Sequence, residues 1–225
     1  MTAGVRILST KKLSVSQRQY LLNAGFLVTE ADFIQTEPLA FNLEKSYQGL
    51  IFTSQNAVEA LLQSSYKSLL AEIPCFCVGS KTQQLLQQSQ AQVLATAHNA
   101  AELAEQIIAE YATFKFVFFC GDLRRDELPN LLSKHQISLD EVQVYRTQLT
   151  PHKITNQPDA LLFFSPSAVA SYVQQNTIEN AICFCIGQTT AAALQGQAMQ
   201  VIVAHQPTIE NTLIQAIQYY RKPQT

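Results

Sequence analysis

Charge is scarce: Asp, Glu, Lys and Arg make up 14% of the 225 residues, against about a quarter in ordinary globular chains. The formal net charge of −2 excludes the clustered basic footprint on which binding to phosphate backbones rests. No nucleic-acid partner is expected, and any anionic ligand must be held locally. No apolar run approaches the roughly 20 residues that span a bilayer. The opening MTAGVRILST also lacks the basic and then apolar order of a secretory signal. No membrane partner and a cytoplasmic location are therefore expected. With 7 Gly and 8 Pro there is no long linker, so composition does not mark a domain boundary. A G-x-G-x-x-G or Walker-type glycine loop is absent, which leaves dinucleotide and nucleoside triphosphate sites without support. Five Cys, an odd number, fit reduced thiols buried as small hydrophobes better than a disulfide framework.

What is present is a globular composition. Hydrophobic residues are 47% of the chain, which argues against disorder, and glutamines such as Gln83, Gln84, Gln87 and Gln88 supply polar surface without charge. The length suits one large or two small domains.

Two distant segments can be superposed by eye. LIFTSQNAVEALLQ (50–63) matches LLFFSPSAVASYVQ (161–174), with Ser54 over Ser165 and Ala57 over Ala168. CFCVGSKTQQLL (75–86) matches CFCIGQTTAAAL (183–194), with Gly79 over Gly187 and Thr82 over Thr190. Gln92-Val93 then falls over Gln200-Val201, and a weaker echo sets Phe33 and Thr36 beside Val144 and Thr147. The chain reads as two degenerate copies of a unit of about 110 residues, the size of a small domain.

Within each copy, short apolar runs alternate with helical periodicity, the pattern of βαβ units and a parallel sheet. Strands are expected near 5–9, 49–53, 73–78, 115–120, 159–164 and 182–186, rich enough in Ile, Val, Phe and Cys to be buried on both faces. Helices are expected near 14–24, 56–65, 80–89, 100–112, 123–134, 167–176, 189–196 and 208–222. The polar stretches QTEPLAF (35–41) and TQLTPHKITNQP (147–158) are candidate hinges.

Ligands of open α/β sheets bind beyond the carboxyl ends of strands, where the next helix offers free N–H groups. Four such turns combine a hydroxyl with a helix start: Thr53-Ser54-Gln55-Asn56, Gly79-Ser80-Lys81-Thr82, Ser165-Pro166-Ser167 and Gly187-Gln188-Thr189-Thr190. Each hydroxyl either caps its helix or donates to a bound oxyanion. Four in register favour a carboxylate ligand gripped in a cleft between two domains. A fifth turn places Gly121, Arg124 and Arg125 beyond 115–120. Its arginines either fork a carboxylate or pair with Asp122 or Asp126. Cys75/Cys77 and Cys183/Cys185 share a strand face but lack the partner cluster of a zinc site, so strand packing is expected and no metal. His98 and His205 occupy matching positions and, with His135 and His152, read as surface or loop histidines.

FTSQNAVEAL, VGSKT, CGDLRRDELP, VQVYRT, FFSPSAV, IGQTTAAAL and HQPTIENTL, in this order, resemble uroporphyrinogen-III synthase over nearly the whole chain. Gln188 stands where that family often has Pro, with no loss of an N–H donor. The resemblance implies an α/β fold of two doubly wound domains with parallel sheets, joined by a two-segment hinge. Domain 1 would comprise 1–36 and 149–225 and domain 2 would comprise 37–148, with the substrate cleft between them, each domain joining parts of both copies. The implied reaction is cyclodehydration of the linear tetrapyrrole hydroxymethylbilane to uroporphyrinogen III with inversion of the terminal pyrrole, without cofactor or metal. The pyrroles stabilise the cation left by the departing hydroxide, so the protein need only assist that departure and hold the chain. Tyr145 would donate the proton, unless it is a strand-end aromatic against the core. Ser54, Asn56, Gly79, Thr82, Gly121, Arg124, Ser165, Ser167, Gly187, Thr189 and Thr190 would bind the substrate, and a monomer is expected. The competing class is a non-catalytic two-domain sensor closing around a small anionic metabolite.

Overall fold

The computed structural model describes residues 4–43 and 46–221. The chain runs β1 (Arg6–Ser9), α1 (Val15–Asn23), β2 (Leu27–Glu30), β3 (Ile34–Pro38), β4 (Gly49–Phe52), α2 (Gln55–Gln63), α3 (Leu69–Glu72), β5 (Cys75–Val78), α4 (Ser80–Gln88) and β6 (Val93–Ala97). It continues through α5 (Ala100–Glu110), β7 (Lys115–Gly121), α6 (Glu127–Lys134), β8 (Ser138–Leu149), β9 (Ala160–Phe163), α7 (Pro166–Tyr172), β10 (Ile182–Cys185), α8 (Gln188–Ala192), β11 (Val201–Val203) and α9 (Ile209–Arg221). Two compact units result: unit 1 is Met1–Gln35 with Gln148–Thr225, and unit 2 is Thr36–Thr147.

Unit 1 holds a five-stranded sheet in the order β2-β1-β9-β10-β11, parallel in every pairing. Unit 2 holds the order β8-β7-β4-β5-β6, also parallel, with β3 outside β8. The two orders are the same arrangement assembled differently. Segment β4-α2-β5-α4-β6 of unit 2 carries the motifs repeated in β9-α7-β10-α8-β11 of unit 1. Each unit therefore completes one copy's three-strand segment with the other copy's β-α-β. In each sheet the strand order reverses at one place, β1/β9 in unit 1 and β7/β4 in unit 2.

The central strands are parallel because they are apolar on both faces. All four residues of β4 (GLIF) and of β9 (ALLF) are buried, which suits a sheet covered by helices on either side. In unit 2, Leu50 and Phe52 pack with Phe119, Val58 and Leu61 on one face, while Ile51 packs with Phe118, Leu103 and Leu132 on the other. Unit 1 repeats this with Leu161, Phe163 and Val169 against Ile7, Leu162, Leu213 and Ile217. Each such side chain stabilises the fold by roughly 1.5–3 kcal/mol.

All five cysteines are free and buried. Burial pushes the thiols of Cys75, Cys183 and Cys185 up to about 12. They are neutral packing groups at physiological pH, and thiolate chemistry is closed to them.

Several expected boundaries need correction. The helix expected from 123 starts at Glu127, because Arg124 is drawn to Asp126 and Glu141 and the Asp122 carboxylate accepts from the Thr147 N–H (2.9 Å). The helix expected over 189–196 ends at Ala192, ahead of Gly196 with its φ of +75°. The last residue expected in the final helix, 222, lies outside the described residues. Neither hinge candidate is wholly loop: β3 occupies Ile34–Pro38, β8 runs to Leu149, and the passages between units fall within these strands. Strands β2, β3, β6, β8 and β11 were not expected. None is buried along its whole length, as in Leu27–Glu30, and the apolar run of β11 is only three residues long.

Candidate active site

A parallel sheet opens a crevice at the carboxyl ends of two neighbouring strands whose connections leave in opposite directions. In unit 2 that place lies between β4 and β7. A cavity of about 350 Å³ is found there, lined among others by Ser54, Gly121, Arg124 and Tyr145.

Each side chain has a local cause. Ser54 follows β4 with extended backbone and caps α2, its Oγ accepting from the Ala57 N–H (3.2 Å). Tyr145 comes from β8. The β7–β8 ladder runs evenly to Cys120 opposite Gln143 and then slips, setting Gly121 opposite Tyr145 and leaving Val144 as the extra residue. Such a bulge turns the following side chain. Val144 is fully buried in the core, and the half-buried Tyr145 reaches across Gly121 to place its hydroxyl 3.1 Å from Ser54 Oγ. The Cys120 thiol is held by the Val142 carbonyl (3.6 Å), and burial raises its pKa.

Arg124 lines the same cavity but has carboxylate partners of its own: Nε contacts Glu141 Oε2 at 2.6 Å, and Nη1 pairs with Asp126. The pairing with Asp126 is the one the structure shows. Its charge reaches the cavity already compensated.

The remaining expected residues divide. Ser165 caps α7 exactly where its counterpart caps α2, accepting from the Ala168 N–H (3.1 Å). Ser167 is half-buried in the first turn of α7, Thr189 is exposed, and Gly79 and Gly187 precede α4 and α8. Asn56 is half-buried in α2 and does not line the cavity. Thr82 and Thr190 are buried, only 4% and 1% exposed. Thr82 stands four residues before the buried Leu86 of α4, on the stripe that helix turns to the core, and Thr190 is the buried residue of the short α8. His98, exposed as the surface reading expects, and Leu123, not among the expected site residues, also line the cavity. The one signal for His98 was its place between a strand and the Asn99 cap of α5.

The corresponding sequence positions of unit 1 differ. In the sequence alignment that sets Phe33 and Thr36 beside Val144 and Thr147, Ile34 falls over Tyr145. No glycine occurs between Thr10 and Ser14, after β1.

Fold and site together define a two-unit, parallel-sheet α/β protein whose switch-point cavity offers a phenol, a hydroxyl and several helix starts. The described residues contain no group of His, Cys, Asp and Glu able to hold a metal ion, and no helix long and apolar enough to cross a membrane. Residues 16–214 match the family model of uroporphyrinogen-III synthase HemD, and the chain belongs to that family. Its members are lyases of tetrapyrrole biosynthesis that close hydroxymethylbilane into uroporphyrinogen III. Among solved structures, the chain is similar to uroporphyrinogen-III synthetase from Helicobacter pylori, with 22% identity, a TM-score of 0.74, and 96% of this chain and 99% of that chain covered. It is also similar to a mutant uroporphyrinogen III synthase from Thermus thermophilus, with 14% identity, a TM-score of 0.57, and 96% and 98% covered. At these identities the likeness concerns the fold.

Proposed function

We propose that unit 2 carries the proton-transfer chemistry of the cyclisation, with Tyr145 as the acid. The observation that carries this reading is the 3.1 Å contact between the Tyr145 hydroxyl and Ser54 Oγ inside the switch-point cavity. Ser54 Oγ already accepts from the Ala57 N–H, so its own O–H is available to donate to the phenolic oxygen. That polarity leaves the phenolic proton directed away from Ser54, toward the ligand.

The terminal hydroxymethyl C–O bond breaks with the electron pair leaving on oxygen. The Tyr145 proton completes a water molecule, and the adjoining pyrrole nitrogen feeds electrons into the cation that remains. The phenolate is stabilised by the Ser54 O–H while the substituted α-carbon of the terminal pyrrole attacks the cation, its bond to the bridging methylene breaks and re-forms at the unsubstituted α-carbon of the same ring, and the proton lost from that carbon restores the phenol. A general acid of this kind contributes about 10²–10⁴ in rate. The lower end is expected, because the pyrrole itself supports the cation.

Recognition of the linear tetrapyrrole rests on the starts of α2 and α5 and on Leu123. Backbone N–H groups at helix starts receive carboxylates without a strongly basic pocket. We also place the protein in the cytoplasm, a location that its five free, buried thiols suit, and take it to act as a monomer. The test is the isomer formed by purified protein from fresh hydroxymethylbilane, separated by chromatography. The type III isomer is expected, and formation of only the spontaneous type I isomer would overturn the assignment.

A further inference from the structure

We propose that Gly121 is a positioning residue for Tyr145: the missing side chain at the end of β7 is what lets the phenol lie over the strand and meet Ser54. The inference rests on the assignment of Tyr145 as the acid. A Cβ built on Gly121 would lie 2.4 Å from Tyr145 Cζ, 2.5 Å from its Cε2 and 2.8 Å from its hydroxyl oxygen, and these are the three nearest atoms. Real Cβ atoms essentially never come within 3.0 Å of such neighbours. Nothing about the Gly121 backbone itself calls for glycine, since its φ is not among the positive values found at Gly4, Gly25, Gly79 and Gly196. The need is for space, and the ring of Tyr145 takes it.

The bulge and the glycine act as one device. The register slip between Cys120 and Gly121 brings Tyr145 opposite Gly121, and the bare Cα admits the ring at contact distance. The repeat supplies an internal comparison, because Ile34 falls over Tyr145 in the sequence alignment and no glycine occurs between Thr10 and Ser14, after β1. Phenol and glycine are present together or absent together. Any side chain at 121 pushes the half-buried ring outward and takes its hydroxyl away from Ser54. Substrate contacts made elsewhere in the cavity are left in place.

The experiment is a double-mutant cycle of Gly121→Ala and Tyr145→Phe, read as kcat and KM on hydroxymethylbilane. Gly121→Ala is expected to lower kcat about as far as Tyr145→Phe does, with KM within about twofold. In the Tyr145→Phe background it should lower kcat no further. Full additivity, or a Gly121→Ala loss confined to KM, would overturn the inference even with Tyr145 upheld as the acid. Wild-type kcat in Tyr145→Phe would instead overturn the Tyr145 assignment, and the steric claim would be judged by stability. Gly121→Ala should lower the urea midpoint in the wild-type background and leave it unchanged in Tyr145→Ala. An equal drop in both backgrounds would show that Gly121 serves the strand and not the ring.

Discussion

Ser54 carries two duties that one substitution can separate. Its Oγ caps α2 through the Ala57 N–H and also faces the Tyr145 hydroxyl. Ser54→Ala removes both, costing about 1 kcal/mol of cap stabilisation together with a hydrogen bond to the developing phenolate worth roughly 1.5–3 kcal/mol. Ser54→Asp keeps the cap, since Asp equals Ser at this position and a negative charge is favoured at a helix start. It also replaces a group that can donate to the phenol with a carboxylate that only accepts. The phenolic proton is then drawn toward Asp and away from the substrate, and the phenolate faces a like charge. Stability measured by urea unfolding should stay within about 0.5 kcal/mol of wild type, while kcat falls by about tenfold or more, the equivalent of about 1.4 kcal/mol or more. Wild-type kcat in Ser54→Asp, with a loss in Ser54→Ala that tracks unfolding, would reduce Ser54 to a cap and refute the proposed hydrogen-bond polarity.

Thr82→Val, at a position 4% exposed, should leave turnover unchanged and shift stability by less than about 1 kcal/mol. A fall in turnover would return Thr82 to the site. The five cysteines should resist alkylation at pH 8 in the folded protein and react together in denaturant, because burial holds Cys75, Cys183 and Cys185 at about 12. Rapid labelling of any of these three would contradict their placement. Asp159 accepts from the Arg6 guanidinium and backbone N–H, which lowers its pKa from the ordinary 3.8. A carboxylate lowered in the folded state contributes stability above pH about 4 that is lost as pH falls through the folded value. The stability gap between wild type and Asp159→Asn should therefore be constant above about pH 5 and narrow below pH 4. A gap that widens on acidification would show that the sign is wrong.

The strands that proved legible are those buried on both faces, such as Leu50–Phe52 and Leu161–Phe163, because a continuous apolar run needs no partner to be recognised. Edge strands such as Leu27–Glu30 and Val201–Val203 depend on a neighbour to define their inner face, so their sequences carry a weaker signal. The helix starts at Ser54 and Ser165 were readable from local chemistry, since a cap acts within three residues. The contact of Tyr145 with Ser54 was not readable, because it depends on a one-residue slip in a ladder between β7 and β8. Likewise, the inward turn of Thr82 and Thr190 depends on which stripe of each helix meets the sheet. The repeat was visible in the sequence, but the exchange of segments between units was not. Superposable motifs reveal ancestry of a segment without revealing which sheet it joins.

The most direct test of Tyr145 as the acid is the single-turnover rate of Tyr145→Phe on fresh hydroxymethylbilane, measured beside its affinity for product. The substitution removes one oxygen from a half-buried ring and leaves the cavity otherwise intact. A fall of about 10² in rate, with product affinity within about twofold of wild type, is the predicted result. An unchanged rate would contradict it and move the proton transfer to another group in the cavity.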